Sequence, residues 1–111
     1  MLSTKTPDFF VNRLLARLPD DDHQQILSNC ESVELNLAEV INEPGEQIRY
    51  VYFPTDSFVS LVTPPNGHAG LEVSLVGNEG MIGTPLILGV AVTLLRTFVQ
   101  GAGPAWRMTP E

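Results

Sequence analysis

The chain has 111 residues, 43% of them hydrophobic and 17% charged, enough for one core and one domain. Thirteen acidic residues against six basic ones give a net charge of −7, so the chain lacks the Lys and Arg that nucleic-acid binding rests on. No apolar run reaches the roughly 18 residues of a membrane span, the N-terminus does not read as a signal peptide, and the single Cys30 excludes an intrachain disulfide and fits a reducing cytoplasm.

The first thirty residues read as helical. Phe9, Phe10, Leu14, Leu15 and Leu18 follow helical spacing. Thr6-Pro7 or Asn12 can start this segment, and Pro19 stops it. Asp20, Asp21 and Asp22 then head a second short helix, which runs to Asn29, with carboxylates complementing the helix dipole. The Asp run reads as capping rather than as a metal site, because no second carboxylate cluster faces it in sequence.

From Cys30 the period changes to two. Val33, Leu35 and Leu37 alternate with Glu34 and Asn36; Val51 and Phe53 flank Tyr52; Val59 and Leu61 flank Ser60; Leu71, Val73 and Leu75 alternate with Glu72 and Ser74. These are half-buried strands. Turn clusters separate them, among them Glu43-Pro44-Gly45-Glu46, Pro54-Thr55-Asp56-Ser57 and the hairpin dipeptide Asn66-Gly67. Residues 97–100 and 105–108 suit two final strands. Short strands with turns at such spacing predict an all-β sandwich or barrel.

Residues 77–101 hold the most chemistry. Thr84 can cap a short helix with Pro85 at its first position, and Gly89 suits the stop. Free N–H groups at such a helix start favour an anion. An arginine returning afterwards, Arg96, can fork a phosphate, and the Thr97 hydroxyl can add a donor. The competing reading makes Arg96 a strand-end arginine paired with a surface carboxylate, Thr97 an ordinary strand residue and Gly83 a tight turn.

The remaining candidates carry less. His23 and His68 have no Cys or carboxylate at metal-ligand spacing. Cys30 reads as a small core residue, with redox sensing as the alternative. Trp106 suits core or interface. No serine has the flanking elbow or His and Asp order of a nucleophile, so the sequence reads as a non-enzyme.

The order of these segments resembles a known family. Two short helices lead to Glu43-Pro44-Gly45-Glu46-Gln47-Ile48-Arg49-Tyr50-Val51-Tyr52-Phe53, then Phe58-Val59-Ser60-Leu61, then Val76-Gly77-Asn78-Glu79-Gly80-Met81-Ile82-Gly83 and the Arg96-Thr97 return. This resembles the cyclic nucleotide-binding domain of the Crp/Fnr family of bacterial transcription regulators, over roughly residues 12–108. The resemblance implies a mainly β fold: a double-stranded β-helix, or jelly roll, over residues 31–111, with helices of residues 1–30 packed on it and a short cassette helix inside. It implies a ligand site at Gly83, Thr84, Leu86, Arg96 and Thr97, with a cyclic nucleotide as the effector, and no metal. It also implies a homodimer in the full regulator and DNA contact only through a helix-turn-helix domain, expected beyond this chain.

One departure stands out. Cyclic-nucleotide binders of the family follow Ile-Gly with a glutamate that accepts a bond from the ribose hydroxyl; here Thr84 stands there, followed by Pro85, which removes a backbone donor. An alternative function follows: a ligand-free structural or protein-interaction barrel with a degenerate pocket. An open, arginine-lined cavity separates the first reading from the second, in which Leu94 or Leu95 plugs it. A third, cupin-like reading requires bound metal.

Overall fold

The computed structural model describes residues 11–63, 72–83, 85, 89 and 92–109. Asn12 opens the first turn: its Oδ1 accepts the Leu15 N–H at 3.0 Å. A single 3-10 turn, Leu15–Arg17, follows, shorter than the helical spacing predicts. Pro19 explains the stop. It has no N–H to give and holds Leu18 extended, at ψ 152. Phe9, Phe10 and the Thr6-Pro7 start lie outside the described residues. The predicted second helix is present as α1, Asp20–Ser28, with all three aspartates in its first turn. Asn29 closes it, donating from Nδ2 to the Gln25 carbonyl at 2.9 Å.

Among the described residues seven strands follow: β1 Glu31–Leu35, β2 Val40–Asn42, β3 Val51–Pro54, β4 Phe58–Val62, β5 Glu72–Val76, β6 Arg96–Gly101 and β7 Gly103–Met108. They form two antiparallel sheets, one ordered β1-β7-β3 and the other β2-β6-β4-β5. This is the jelly-roll arrangement, in which the chain alternates between two packed sheets. Asn66-Gly67 lies outside the described residues, and the strands that flank it, β4 and β5, pair antiparallel.

Period two misplaces Leu37. The strand ends at Leu35, and the chain turns over residues 36–39, where Ala38 takes φ 68. Glu39 fixes the turn by accepting the Asn36 N–H on Oε1 at 3.0 Å, which leaves Leu37 68% exposed. Leu75 is also 51% exposed, because its neighbour Val76 is the β5 residue that packs against the inter-sheet core and Leu75 takes the opposite face.

The β6–β7 corner changes sheets through Ala102. There Gly103 takes φ +151, and any Cβ would lie 2.1 Å from the Asp56 carbonyl oxygen. The next carbonyl, of Pro104, accepts from Thr55 Oγ1 at 3.0 Å and Ser57 Oγ at 2.9 Å, locking the β3–β4 loop onto the corner.

Two apolar clusters hold the fold. Leu35, Tyr52, Val59, Ile82, Val99 and Ala105 fill the space between the sheets, where Val59 and Val99 are paired neighbours with no exposed surface. Leu15, Val51 and Phe53 form the second cluster, against Leu18, Ile26, Leu27, Trp106 and Met108. The N-terminal turn and α1 thus cover the outer face of the three-stranded sheet. Burial of all four β3 residues follows from this double cover.

Candidate ligand site

The lead-in to the cassette is pinned to β3. Ile82 and Tyr52 exchange N–H···O bonds at 2.9 and 3.0 Å. Gly83 then passes at φ +100 so close to β3 that a Cβ would meet the Tyr50 carbonyl oxygen at 2.9 Å. It serves both a turn and a close approach. Pro85 is helical and Gly89 turns at φ +85. Thr84 and Leu86 lie outside the described residues, as do 87–88 and 90–91.

The returning chain is stitched to the Glu43–Glu46 turn. Val92 forms an isolated bridge with Gln47, and the Thr93 carbonyl accepts the Gly45 N–H at 2.9 Å. Arg96 opens β6, beside Val62 on β4. Its Nε donates to Glu43 Oε1 at 2.9 Å, with both side chains 42% exposed. Thr97, next in line, is 2% exposed between Asn42 and Leu61. The structure therefore brings Arg96 and Thr97 together at the head of one strand and places Gly83 on β3. A carboxylate already occupies the guanidinium.

A cavity of about 470 Å³ opens beside β2, lined by Val40, Ile41, Asn42, Glu46, Gln47, Arg49, Tyr50 and Tyr52. Its size is that of small-molecule sites. Leu94, 78% exposed, and Leu95, half-buried, both lie outside its lining. The arginine on its wall is Arg49. Sequence reasoning did not single out this constellation. The signal available was the alternation Arg49-Tyr50-Val51-Tyr52 directly after the Pro-Gly-Glu turn, with Val51 turned to the outer cluster and Tyr52 to the inner one.

Arg107 braces Tyr50. Its guanidinium lies 4.2 Å from the Tyr50 ring centroid and pairs through Nε with Glu31 at 2.9 Å. The rings meet edge to face with centroids 6.1 Å apart. Burial pushes the Tyr52 phenol above its ordinary value, and Arg107 partly opposes this. Burial likewise raises the Cys30 thiol, which packs in the outer cluster with Trp106. Among the described residues no group of three or more His, Cys, Asp or Glu is placed to hold a metal ion; His68 lies outside them. No helix among them is long and apolar enough to cross a membrane.

No protein-family model matches the sequence, and no curated protein matches it either. Solved structures do. The N-terminal domain of a transcriptional regulator from Streptomyces coelicolor A3(2) is 15% identical with a TM-score of 0.76, over 94% of this chain and 74% of that one. The Thermus thermophilus catabolite activator protein is 14% identical with a TM-score of 0.74, over 87% of this chain and 46% of that one. The regulatory subunit of a cAMP-independent protein kinase A from Trypanosoma brucei, solved as a mutant bound to cAMP in its A site, is 16% identical with a TM-score of 0.76. The match covers 91% of this chain and 38% of that one. At these identities the likeness is one of fold, and this chain has the cyclic nucleotide-binding-domain fold of Crp/Fnr-type regulators and protein kinase A regulatory subunits.

Proposed function

We propose that this is the effector-sensing domain of a Crp/Fnr-type transcription regulator, a cytoplasmic sensor rather than an enzyme, taking a small phosphate-containing ligand such as a cyclic nucleotide. The observation that carries the reading is the head of β6, where a half-exposed arginine stands next to a buried threonine on the strand that returns from the cassette. Arg96 would hold the phosphate in a bidentate way, Thr97 would add a hydroxyl, and the ligand would dock on the cassette near Gly83–Leu86, where Pro85 offers no N–H. The fold and the pinned Gly83 lead-in support this arrangement. Binding would favour one of two cassette positions and pass that preference to a DNA-binding domain and to a dimer partner in the full regulator.

A second reading, a ligand-free barrel, is favoured by one specific contact: Glu43 already neutralises Arg96. An effector phosphate must displace that carboxylate.

Thermal unfolding in cyclic AMP tests both. At a hundredfold excess over its dissociation constant, a ligand adds roughly 2.7 kcal/mol, several degrees for a domain of this size. The sensor reading expects a shift that Arg96→Ala abolishes and Glu43→Gln enlarges. No shift with cyclic AMP or other cyclic mono- and dinucleotides, in either the parent or Glu43→Gln, would leave the ligand-free barrel standing.

A further inference from the structure

We infer that one end of the sandwich is a contact surface for a second copy of this chain, the two copies meeting across a two-fold axis so that a basic corner on each faces an acidic corner on the other. The surface uses neither the cavity nor Arg96, and it stands whether or not an effector binds.

The two corners have matched chemistry. The N-terminal turn exposes Arg13 and Arg17, and between them in sequence Leu14 is 37% exposed. Residues 11–18 hold no carboxylate. Neither guanidinium forms an ion pair with a described residue, the aspartates of α1 included. The other corner carries the turn after β1, where Leu37 is 68% exposed. Exposed Glu34 precedes that turn, and exposed Asp56 stands on the β3–β4 loop; neither has an ion-pair partner among the described residues. A leucine flanked by cations on one corner and a leucine flanked by carboxylates on the other are complementary.

The sheet register sets both corners at one end. Glu34 stands opposite Pro104 and Leu35 opposite Gly103, while Pro54, on the far side of β7, stands opposite Ala105. Asp56 donates its N–H to the Pro104 carbonyl at 3.3 Å, which puts it beside Glu34. Asn12, directly before Arg13, donates to the Pro54 carbonyl at 2.8 Å. The acidic corner thus lies on the β1 side of this end and the basic corner on the β3 side, about 10 Å apart, or two interstrand spacings. Val33 and Leu35 pack toward the inter-sheet core, so Glu34 shares the outer face with the N-terminal layer. A two-fold axis through this end lays each corner on its opposite in the second copy and forms both contacts at once. Both corners are held before association, one by the three hydrogen bonds of Asn12 and the other by Glu39 on the Asn36 N–H, so little freedom is lost on pairing. The surface is small, and the dimer it supports is a weak one.

Sedimentation equilibrium of the whole chain, up to about 1 mM protein, tests the surface. Each copy carries a net charge of −7, so the buffer holds about 0.15 M salt, which screens charges farther apart than roughly 8 Å and leaves close pairs in place. The expected result is a monomer–dimer equilibrium that stops at the dimer. Reversal of the basic corner, Arg13→Glu with Arg17→Glu, is expected to weaken the dimer about tenfold or more, and so is reversal of the acidic corner, Glu34→Arg with Asp56→Arg. The acidic reversal makes the chain less negative overall, so its effect is not general repulsion. Mixed in equal amounts, the two variants are expected to restore a dimer, because every contact again joins opposite charges. Leu37→Ser, in an exposed turn outside both apolar clusters, is expected to keep the parental circular dichroism and to weaken the dimer about threefold or more; it carries the test where a reversal variant fails to fold. A parent that stays monomeric overturns the inference. A dimer untouched by the reversals or by Leu37→Ser also overturns it, as does a mixture of folded reversal variants that stays monomeric. Growth beyond the dimer overturns the two-fold arrangement.

Discussion

Both faces of β3 are buried, and by different means. The outer face, Val51 and Phe53, is covered by the N-terminal turn and α1 in a dry cluster with Leu15, Trp106 and Met108. The inner face carries Tyr52, whose ring joins the core between the sheets while the stretch around it, from Arg49 to Tyr52, lines a polar cavity. One face is closed by packing. The other is braced by Arg107 and left open. The difference teaches where rigidity and function are divided: the helical layer fixes β3 from outside so that its inner side need not be filled.

Truncation should expose that division most strongly at Phe53. It is 6% exposed at the centre of the outer cluster. Phe53→Ala is expected to lower unfolding stability by about 3–5 kcal/mol, read from urea midpoints. Tyr50→Leu, at the open end, removes a ring that Arg107 covers and is expected to cost under about 1.5 kcal/mol. Equal costs would break the comparison.

Asn12 gives the next largest effect. It is 2% exposed and fully used: Nδ2 donates to the carbonyls of Pro54 and Gly80 at 2.8 Å each, and Oδ1 caps Leu15. This one amide ties the outer layer to the end of β3 and to the turn before the cassette. Asn12→Ala is expected to cost about 2–3 kcal/mol, from two stranded carbonyls and a lost cap. Asn12→Asp should be no better, because it keeps the cap but aims a carboxylate at two carbonyl oxygens. A loss under about 0.5 kcal/mol in urea unfolding of Asn12→Ala would show that the outer layer holds without its polar tie.

Local chemistry is where the sequence spoke clearly. Asn12, Pro19 and the aspartates of α1 act where their backbone preferences put them. The strands β3, β4, β6 and β7 lie within a residue or two of the alternating stretches. Leu37 and Leu75 went astray for opposite reasons. Leu37 sits in a turn whose signal was legible, since Asn36 and Glu39 have the spacing of a reciprocal cap. Leu75 is exposed because Val76 beside it takes the core side of β5, and alternation alone does not encode which face meets the other sheet. The cavity escaped for the same reason. Its residues come from β2 and from the segment after the Pro-Gly-Glu turn, and only the stacking of two sheets makes them one wall. Arg96 illustrates a further limit: sequence named both a phosphate clamp and a surface ion pair, and Glu43, more than fifty residues away, is a partner that only folding supplies.

Alkaline pH offers the gentlest way to separate the two faces of β3, because each holds one acid favoured in its neutral form. Burial raises the Cys30 thiol of the outer cluster above its ordinary 9.0. At the inner face, burial raises the Tyr52 phenol above 10.0, with smaller upward contributions from the charges of Glu39 and Tyr50 and opposition from Arg107. Both groups hold their protons more tightly folded than unfolded. Their contributions are complete below those ordinary values and drain as pH rises through the raised ones. Stability is therefore expected to decline above about pH 9 on account of Cys30 and more steeply above about pH 10 as Tyr52 joins. Urea midpoints measured along that range should lose the first part of the decline in Cys30→Ala and the second in Tyr52→Phe, which keeps the ring in the core and the Arg107–Glu31 pair in place. An unchanged upper limb in Tyr52→Phe would mean that the inner face admits enough water to solvate the phenolate, and the contrast between a dry outer face and a merely braced inner one would have to be drawn more sharply still.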